Sequence, residues 1–312
     1  MIRLHPRTSQ RPRPSQRPSR SFGRRAGLLG LAGLILAACS RATPQALVAA
    51  RVISLSPSTT EALFVIGAGD ALVGRSSYCD YPPEALGLPI VGGFADPSVE
   101  KIVALRPTLV VGARGPAGPA LAQALEARGI ATFFPETESI PQIEAMLVDL
   151  GKRLGHATGA AAAVETIEVA RRRVAAEITG AARVRTIFLF DVGPIVVAGP
   201  GSFPDGLIRE AGGDNVIKAG GAYPTLGLEQ LLSLDPDVIL DGAADEHAPV
   251  AASRVAALRD APGWRKLTAQ REGRVRMVSG AAALRPGPRI GEGLVAVARA
   301  LHGEPSTPVK TP

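Results

Sequence analysis

The strongest constraint on the fold is a repeat within the chain. Residues 99–111 read VEKIVALRPTLVV and residues 228–240 read LEQLLSLDPDVIL, so that Glu, Leu and Pro coincide and most other positions stay apolar. Each copy encodes a helix, a turn at proline, which cannot continue the helix, and a short buried strand. A fainter echo pairs Gly69-Asp70, followed by Leu72-Val73, with Gly213-Asp214, followed by Val216-Ile217. From Arg51 onward, apolar runs alternate with helical stretches. Strands are expected at 52–55, 71–73, 109–111, 131–134, 186–190, 238–240 and 275–278, and helices at 60–66, 99–105, 117–128 and 140–154. That alternation is the pattern of an α/β protein with mostly parallel sheets, here two copies of one unit.

Between the copies, residues 157–181 are rich in alanine and free of proline, with Glu168 and Arg172 four apart, as in a long continuous helix. A helix of some 20 residues is ~30 Å long, the width of a small lobe, and braces two lobes rather than hinging them. The expected organisation is an N-terminal lobe over 51–156, an interlobe helix over 157–182, a C-terminal lobe over 183–303 and a tail over 304–312.

The formal charge of +7 is misleading. Of 35 Lys and Arg residues, eight arginines precede Cys39, leaving 27 basic against 28 acidic residues in the rest. The remainder is near neutral and has no polyanion-binding character, which argues against a nucleic-acid partner. The basic stretch continues into an apolar run from Ala26 to Ala38, the layout of an export signal and too short for a permanent span. The run closes with Leu36-Ala37-Ala38-Cys39, which resembles the lipobox of bacterial lipoproteins. The expectation is a signal peptide over 1–38, lipidation of Cys39 and a tether over 39–50, giving a periplasmic or cell-surface protein held to the membrane by lipid. Arg24-Arg25 resembles a twin-arginine motif with poorly matching downstream positions, so the export route stays open. With Cys39 lipidated, Cys79 has no partner for a disulfide in the same chain.

A catalytic constellation is not apparent. His156, His247 and His302 have no Cys or His neighbour at metal-ligand spacing, and GxSxG, GxxxxGK[ST] and HExxH are absent. Ser56 and Ser58 beside Glu61 read as a helix cap, and Gly199-Pro200-Gly201-Ser202 as a tight turn. No enzyme, resident cofactor or metal site is expected. Binding is better supported, because aromatic residues make up only 4% of the chain and all three tyrosines fall in two loops. Tyr78, Phe94 and Tyr223 offer flat faces with polar edges, suited to a large, flat, partly apolar ligand between lobes. Tyr81, followed by two prolines, is expected to pack against its own lobe.

The segments RVISLSPSTTEALFVIGAGDALVG, SSYCDYPPEA, VEKIVALRPTLVV and AGGDNV together resemble the periplasmic iron-complex and cobalamin receptor family of ABC importers, most closely its cobalamin-binding branch, from about Arg51 to His302. The resemblance implies two Rossmann-like lobes joined by a single long α-helix, with the ligand in the cleft between them. It implies a non-enzymatic receptor that delivers a corrinoid such as cobalamin to a permease and ATPase complex; haem or a ferric siderophore are alternative cargoes of the same family.

Carried over by position, the resemblance makes Tyr78, Phe94 and Tyr223 ligand-binding, the last two standing where the branch has tryptophans, six residues before Glu100 and Glu229. Other aromatic positions of the branch are not kept. Ala113 and Arg114 follow Val111, Ile195 and Val196 follow Pro194, and no tryptophan occurs over 280–284. Glu100 and Glu229, one per copy, are implied as docking residues for permease arginines, beyond the favourable setting of a carboxylate in the first turn of a helix. Cys79 and Arg285 are further candidates for the cleft, Cys79 as a thiolate able to reach a metal centre or as a small filler. Arg289 is placed with Arg285 before the last helix.

Overall fold

The computed structural model describes residues 50–114, 118–242, 258, 262–278 and 281–303; Cys39 with its leader, and His247, lie outside these residues. The first sheet is wholly parallel, in the order β2-β1-β3-β4, from β1 (Val52–Ser54), β2 (Leu72–Arg75), β3 (Leu109–Val111) and β4 (Ala131–Phe133). The second sheet is centred on β5 (Val184–Val192). Its antiparallel partner β6 (Ile195–Val197) continues to β8 (Thr225–Leu226), while β7 (Gly213–Asn215), β9 (Val238–Asp241) and β10 (Val275–Met277) are parallel. The order β7-β5-β9-β10 reproduces that of the first sheet; Gly69-Asp70 leads into the edge strand Leu72–Arg75, while Gly213-Asp214 lies within its counterpart Gly213–Asn215.

The strands alternate between two apolar faces, as a pleated strand buried on both sides must. In β1 and β3, Val52, Leu109 and Val111 face one cluster while Ile53 and Val110 face another; in β5 and β9, Phe188, Val238 and Leu240 oppose Ile187, Leu189 and Ile239. The outer faces are covered by α2 (Val99–Ala104) and α3 (Gly118–Glu126) in the first lobe and by α7 (Leu228–Leu234) and α8 (Thr268–Arg271) in the second, through Ile102 and Leu231 at equivalent repeat positions. The inner faces share one cluster. It joins α1 (Pro57–Val65), α4 (Ile140–Leu154), α5 (Ala157–Glu177), α6 (Phe203–Glu210), α9 (Ala281–Leu284) and α10 (Ile290–His302).

Helix α5 is the bridge. It packs on α4 and α1 of the first lobe and on α10 and α6 of the second, with Ile167 and Val174 fully buried. Two glycines permit that closeness: a Cβ at Gly159 would lie 2.1 Å from the Ile66 carbonyl oxygen, and one at Gly291 of α10 would lie 2.8 Å from Ala170. The helix ends at Glu177, short of the expected 182, with Gly180 in the left-handed region at φ +79 turning the chain toward β5. No helix among the described residues is long and apolar enough to cross a membrane.

The repeat extends into backbone detail. Arg106 and Asp235, at the same position of each copy, are the two non-glycine residues with positive φ among those described, at 48° and 36°. Proline follows each, and proline bars its predecessor from continuing the helix. Each helix end is then closed by an arginine just outside or at the start of the central strand. Arg51 donates to the Leu105 carbonyl at 2.8 Å and Arg185 to the equivalent Leu234 carbonyl at 2.5 Å, satisfying oxygens left over at a helix C-terminus.

Candidate ligand-binding cleft

A cleft of about 660 Å³ opens between the lobes. Tyr78, on the loop after β2, and Phe94, on the loop before α2, stand on one side; Tyr223, before β8, stands on the other, and Arg285 closes one end. Four of the five cleft candidates singled out in the sequence thus come together in one cavity. Tyr78 is 61% exposed and Tyr223 50% exposed, so both rings are available to a ligand.

Tyr223 is the better anchored. Its ring meets Phe190 edge-on at 5.6 Å, Phe190 in turn contacts Phe188 at 5.2 Å, and its hydroxyl donates to Glu138 at 3.2 Å. Burial, aided by the Glu138 charge and hydrogen bond, pushes the Tyr223 phenol up to about 12. Glu138, ahead of α4, also accepts the Phe203 N–H at 3.1 Å, at the first turn of α6. One carboxylate therefore ties the first lobe to a helix end and an aromatic wall of the second. Nothing in the local sequence marks Glu138, because its partners lie far along the chain.

The cleft floor is the amino end of α1, where Ser56 and Ser58 line the cavity. The Ser56 hydroxyl accepts the Thr59 and Ala113 N–H groups at 3.4 and 2.9 Å, the capping role expected of it. Glu61 is not part of that cap. It is 4% exposed and accepts both Arg289 nitrogens, at 2.8 and 3.2 Å. Arg285 grips Asp80 in the same two-pronged way, at 2.6 and 3.1 Å, and approaches Glu61 at 3.7 Å. The Arg285 hydrogen bond holds the Asp80 carboxyl below the usual carboxylate range, and the Glu61 hydrogen bond raises the Arg289 guanidinium further. Arg289 also covers the Tyr81 ring at 4.2 Å, so Tyr81 packs at the lobe junction and its partner comes from the other lobe. Paired planar charges of this kind fix orientation as well as adding attraction.

Cys79 does not line the cleft. Its thiol is fully buried, 3.2 Å from the Ser76 hydroxyl and 3.8 Å from the Ser54 carbonyl, so it fills the core beside β1 and cannot reach a ligand's metal. Glu100 and Glu229 lie outside the cavity on the exposed first turns of α2 and α7. The Glu100 carboxyl is held below its ordinary value by its own backbone N–H and by the Ser98 hydroxyl at 3.0 Å. Among the described residues, no group of three or more His, Cys, Asp or Glu side chains could hold a metal, and His302, which does not line the cleft, donates from Nε2 to the Ala211 carbonyl at 2.9 Å.

A family profile described as periplasmic binding protein matches residues 52–280. The vitamin B12-binding protein of Salmonella typhimurium is 35% identical over 200 residues, which cover 64% of this chain and 74% of that relative. Among solved structures, the periplasmic vitamin B12 binding protein of Vibrio cholerae is 27% identical with a TM-score of 0.67, over 80% of this chain and 96% of that one. A periplasmic haem-binding protein from Pseudomonas aeruginosa is 26% identical with a TM-score of 0.70, over 84% and 95% of the two chains.

Proposed function

Because the chain belongs to the periplasmic binding protein family, we propose that it is the substrate-binding protein of an ABC importer and that its cleft carries a corrinoid such as cobalamin to the permease. The observation that carries the reading is the composition of the cleft. Tyr78, Phe94 and Tyr223 supply flat apolar faces from both lobes, while the lining charges, Asp96 and Glu138 against Arg114 and Arg285, number two of each sign. Arg114 is engaged by Glu136 and Arg285 by Asp80, leaving Asp96 and Glu138 as further lining carboxylates. A macrocycle rimmed by neutral amides suits such walls, since amide N–H groups donate to carboxylates. A macrocycle carrying carboxylates is opposed by them.

Haem is the second reading, favoured by the exposed Tyr78 phenol, a group able to bind ferric iron. Tyr223 argues against that use, because a phenol held at about 12 resists the ionisation that ligation requires. Glu100 and Glu229 are proposed to dock on permease arginines, and Cys39 to carry the lipid anchor. Native mass spectrometry of the purified protein against cobalamin, cobinamide, haem and ferric siderophores tests the cargo. One corrinoid per protein is expected; capture of haem or a siderophore with no corrinoid adduct would overturn the assignment while leaving the family intact.

A further inference from the structure

Beside the main cleft, over the carboxyl ends of the first sheet, lies a second cavity of about 420 Å³. Leu55 and Ala113 enter it from just beyond β1 and β3, Phe134 from just beyond β4, and Ala122 from α3. The crevice at the carboxyl ends of parallel strands, where the loops part, is where open α/β sheets receive ligands. The described walls are mostly apolar. The one charged group among the described lining residues, Arg114, is drawn to Glu136 at 2.5 Å.

The chamber and the cleft share Phe94, Ala113 and Arg114, so a group leaving a ligand in the cleft enters the chamber directly. The size decides what such a group is. A dry cavity of about 150 Å³ lined by aliphatic and aromatic side chains already takes a benzene ring, so the chamber has room for a fused two-ring aromatic base but not for the macrocycle as well. Resting on the corrinoid reading, we propose that this chamber is a subsite for the aromatic base that a complete corrinoid carries on an arm from one face of its ring, and that it makes the receptor prefer complete corrinoids over arm-less ones.

Ala122 lines the chamber and not the cleft, which makes it the site for a test. Cobalamin and cobinamide, the same ring system without the base, are titrated against the wild-type protein, Ala122→Phe and the milder Ala122→Val. Wild type is expected to bind cobalamin about tenfold or more tighter than cobinamide, the scale of one buried aromatic contact. Ala122→Phe is expected to lose that preference while binding cobinamide as wild type does, which also shows that it is folded. If Ala122→Phe binds neither, the same selective loss in Ala122→Val supports the subsite, and equal losses for both ligands overturn it. A wild type without preference, or a preference untouched by Ala122→Phe, overturns it too. Failure of wild type to bind either corrinoid defeats the underlying reading itself.

Discussion

The two lobes agree on their outer surfaces and differ where they face each other. Both have the same order of four parallel strands, the same helix at α2 and α7, the same left-handed residue before proline and the same arginine closing the helix end. Both present a glutamate on the first turn of that helix. At the cleft the likeness stops. The first lobe offers Tyr78, Phe94 and an apolar side chamber; the second offers Tyr223, backed by Phe190 and by the antiparallel pair β6–β8 that the first lobe's sheet lacks among the described residues. Packing preserves the repeat on the outer surfaces, and the cleft residues break it.

The largest effect should come from the surface where the copies are alike. Glu100→Ala combined with Glu229→Ala is expected to reduce receptor-stimulated ATP hydrolysis by the importer to its basal rate while ligand affinity stays unchanged, and each single change should do about the same partial damage. Stimulation that survives the double change would remove docking from the account.

Next comes the charge pair that joins the lobes. Arg289→Ala leaves the buried Glu61 carboxylate with Arg285 alone, at 3.7 Å, and since removing one partner of a buried pair costs about 3–5 kcal/mol, a loss toward the lower end of that range is expected. Denaturant unfolding should reveal that loss, with Arg289→Lys recovering only part of it because an ammonium cannot make the two-pronged contact.

A third effect belongs to the back of the molecule, where Arg171 of α5 binds Glu210 of α6 at 2.8 Å and Glu168 at 2.5 Å, with Glu144 of α4 at 3.9 Å. Burial, then the neighbouring Glu168, raises Glu144 from 4.5 to about 7. The folded protein thus keeps a proton that the unfolded chain has released. This contribution is complete below about pH 4.5, declines as pH rises, and is gone above about pH 7. It amounts to at most about 3 kcal/mol. Glu144→Gln should flatten that part of the pH dependence and raise the melting temperature at pH 8; an unchanged profile would refute the role given to Glu144.

The smallest effect sharpens the likeness of the copies. Arg51→Ala frees the part-buried Leu105 carbonyl and the Arg106 carbonyl, and Arg185→Ala frees the exposed Leu234 carbonyl, so each should cost about 1 kcal/mol, with Arg51→Ala somewhat the larger. A difference of several-fold between them would show that the helix ends are not closed alike.

Much of this was readable in the chain. The strands β1 to β5, β9 and β10 and the helices α1 to α5 lie within a few residues of their expected places, because runs such as Leu109–Val111 are buried on both faces and Ile140–Leu154 carries a strong apolar stripe. Strands β6 and β8 leave no mark in the sequence, since three residues after a Gly-Pro turn and two before a glycine carry no period of their own. The aromatic residues of the cleft were legible because aromatics are scarce. Glu138, Phe190 and the pairing of Asp80 and Glu61 with Arg285 and Arg289 were not, because each depends on a partner from a distant part of the sequence. Of the two roles the sequence leaves open for Cys79, the buried thiol beside Ser76 takes that of the small filler, although its neighbour Tyr78 lines the cleft.

The central claim is that two unlike walls, Phe94 with Tyr78 and Tyr223 with Phe190, close on one corrinoid. Calorimetric titration of the purified protein with cobalamin is the most direct test, carried out on wild type, Phe94→Ala, Tyr223→Ala and the double variant. One cobalamin should bind per protein, each single change should weaken binding about tenfold or more, and the double change should weaken it further. No heat of binding from wild type, or variants that bind as wild type does, would contradict the account.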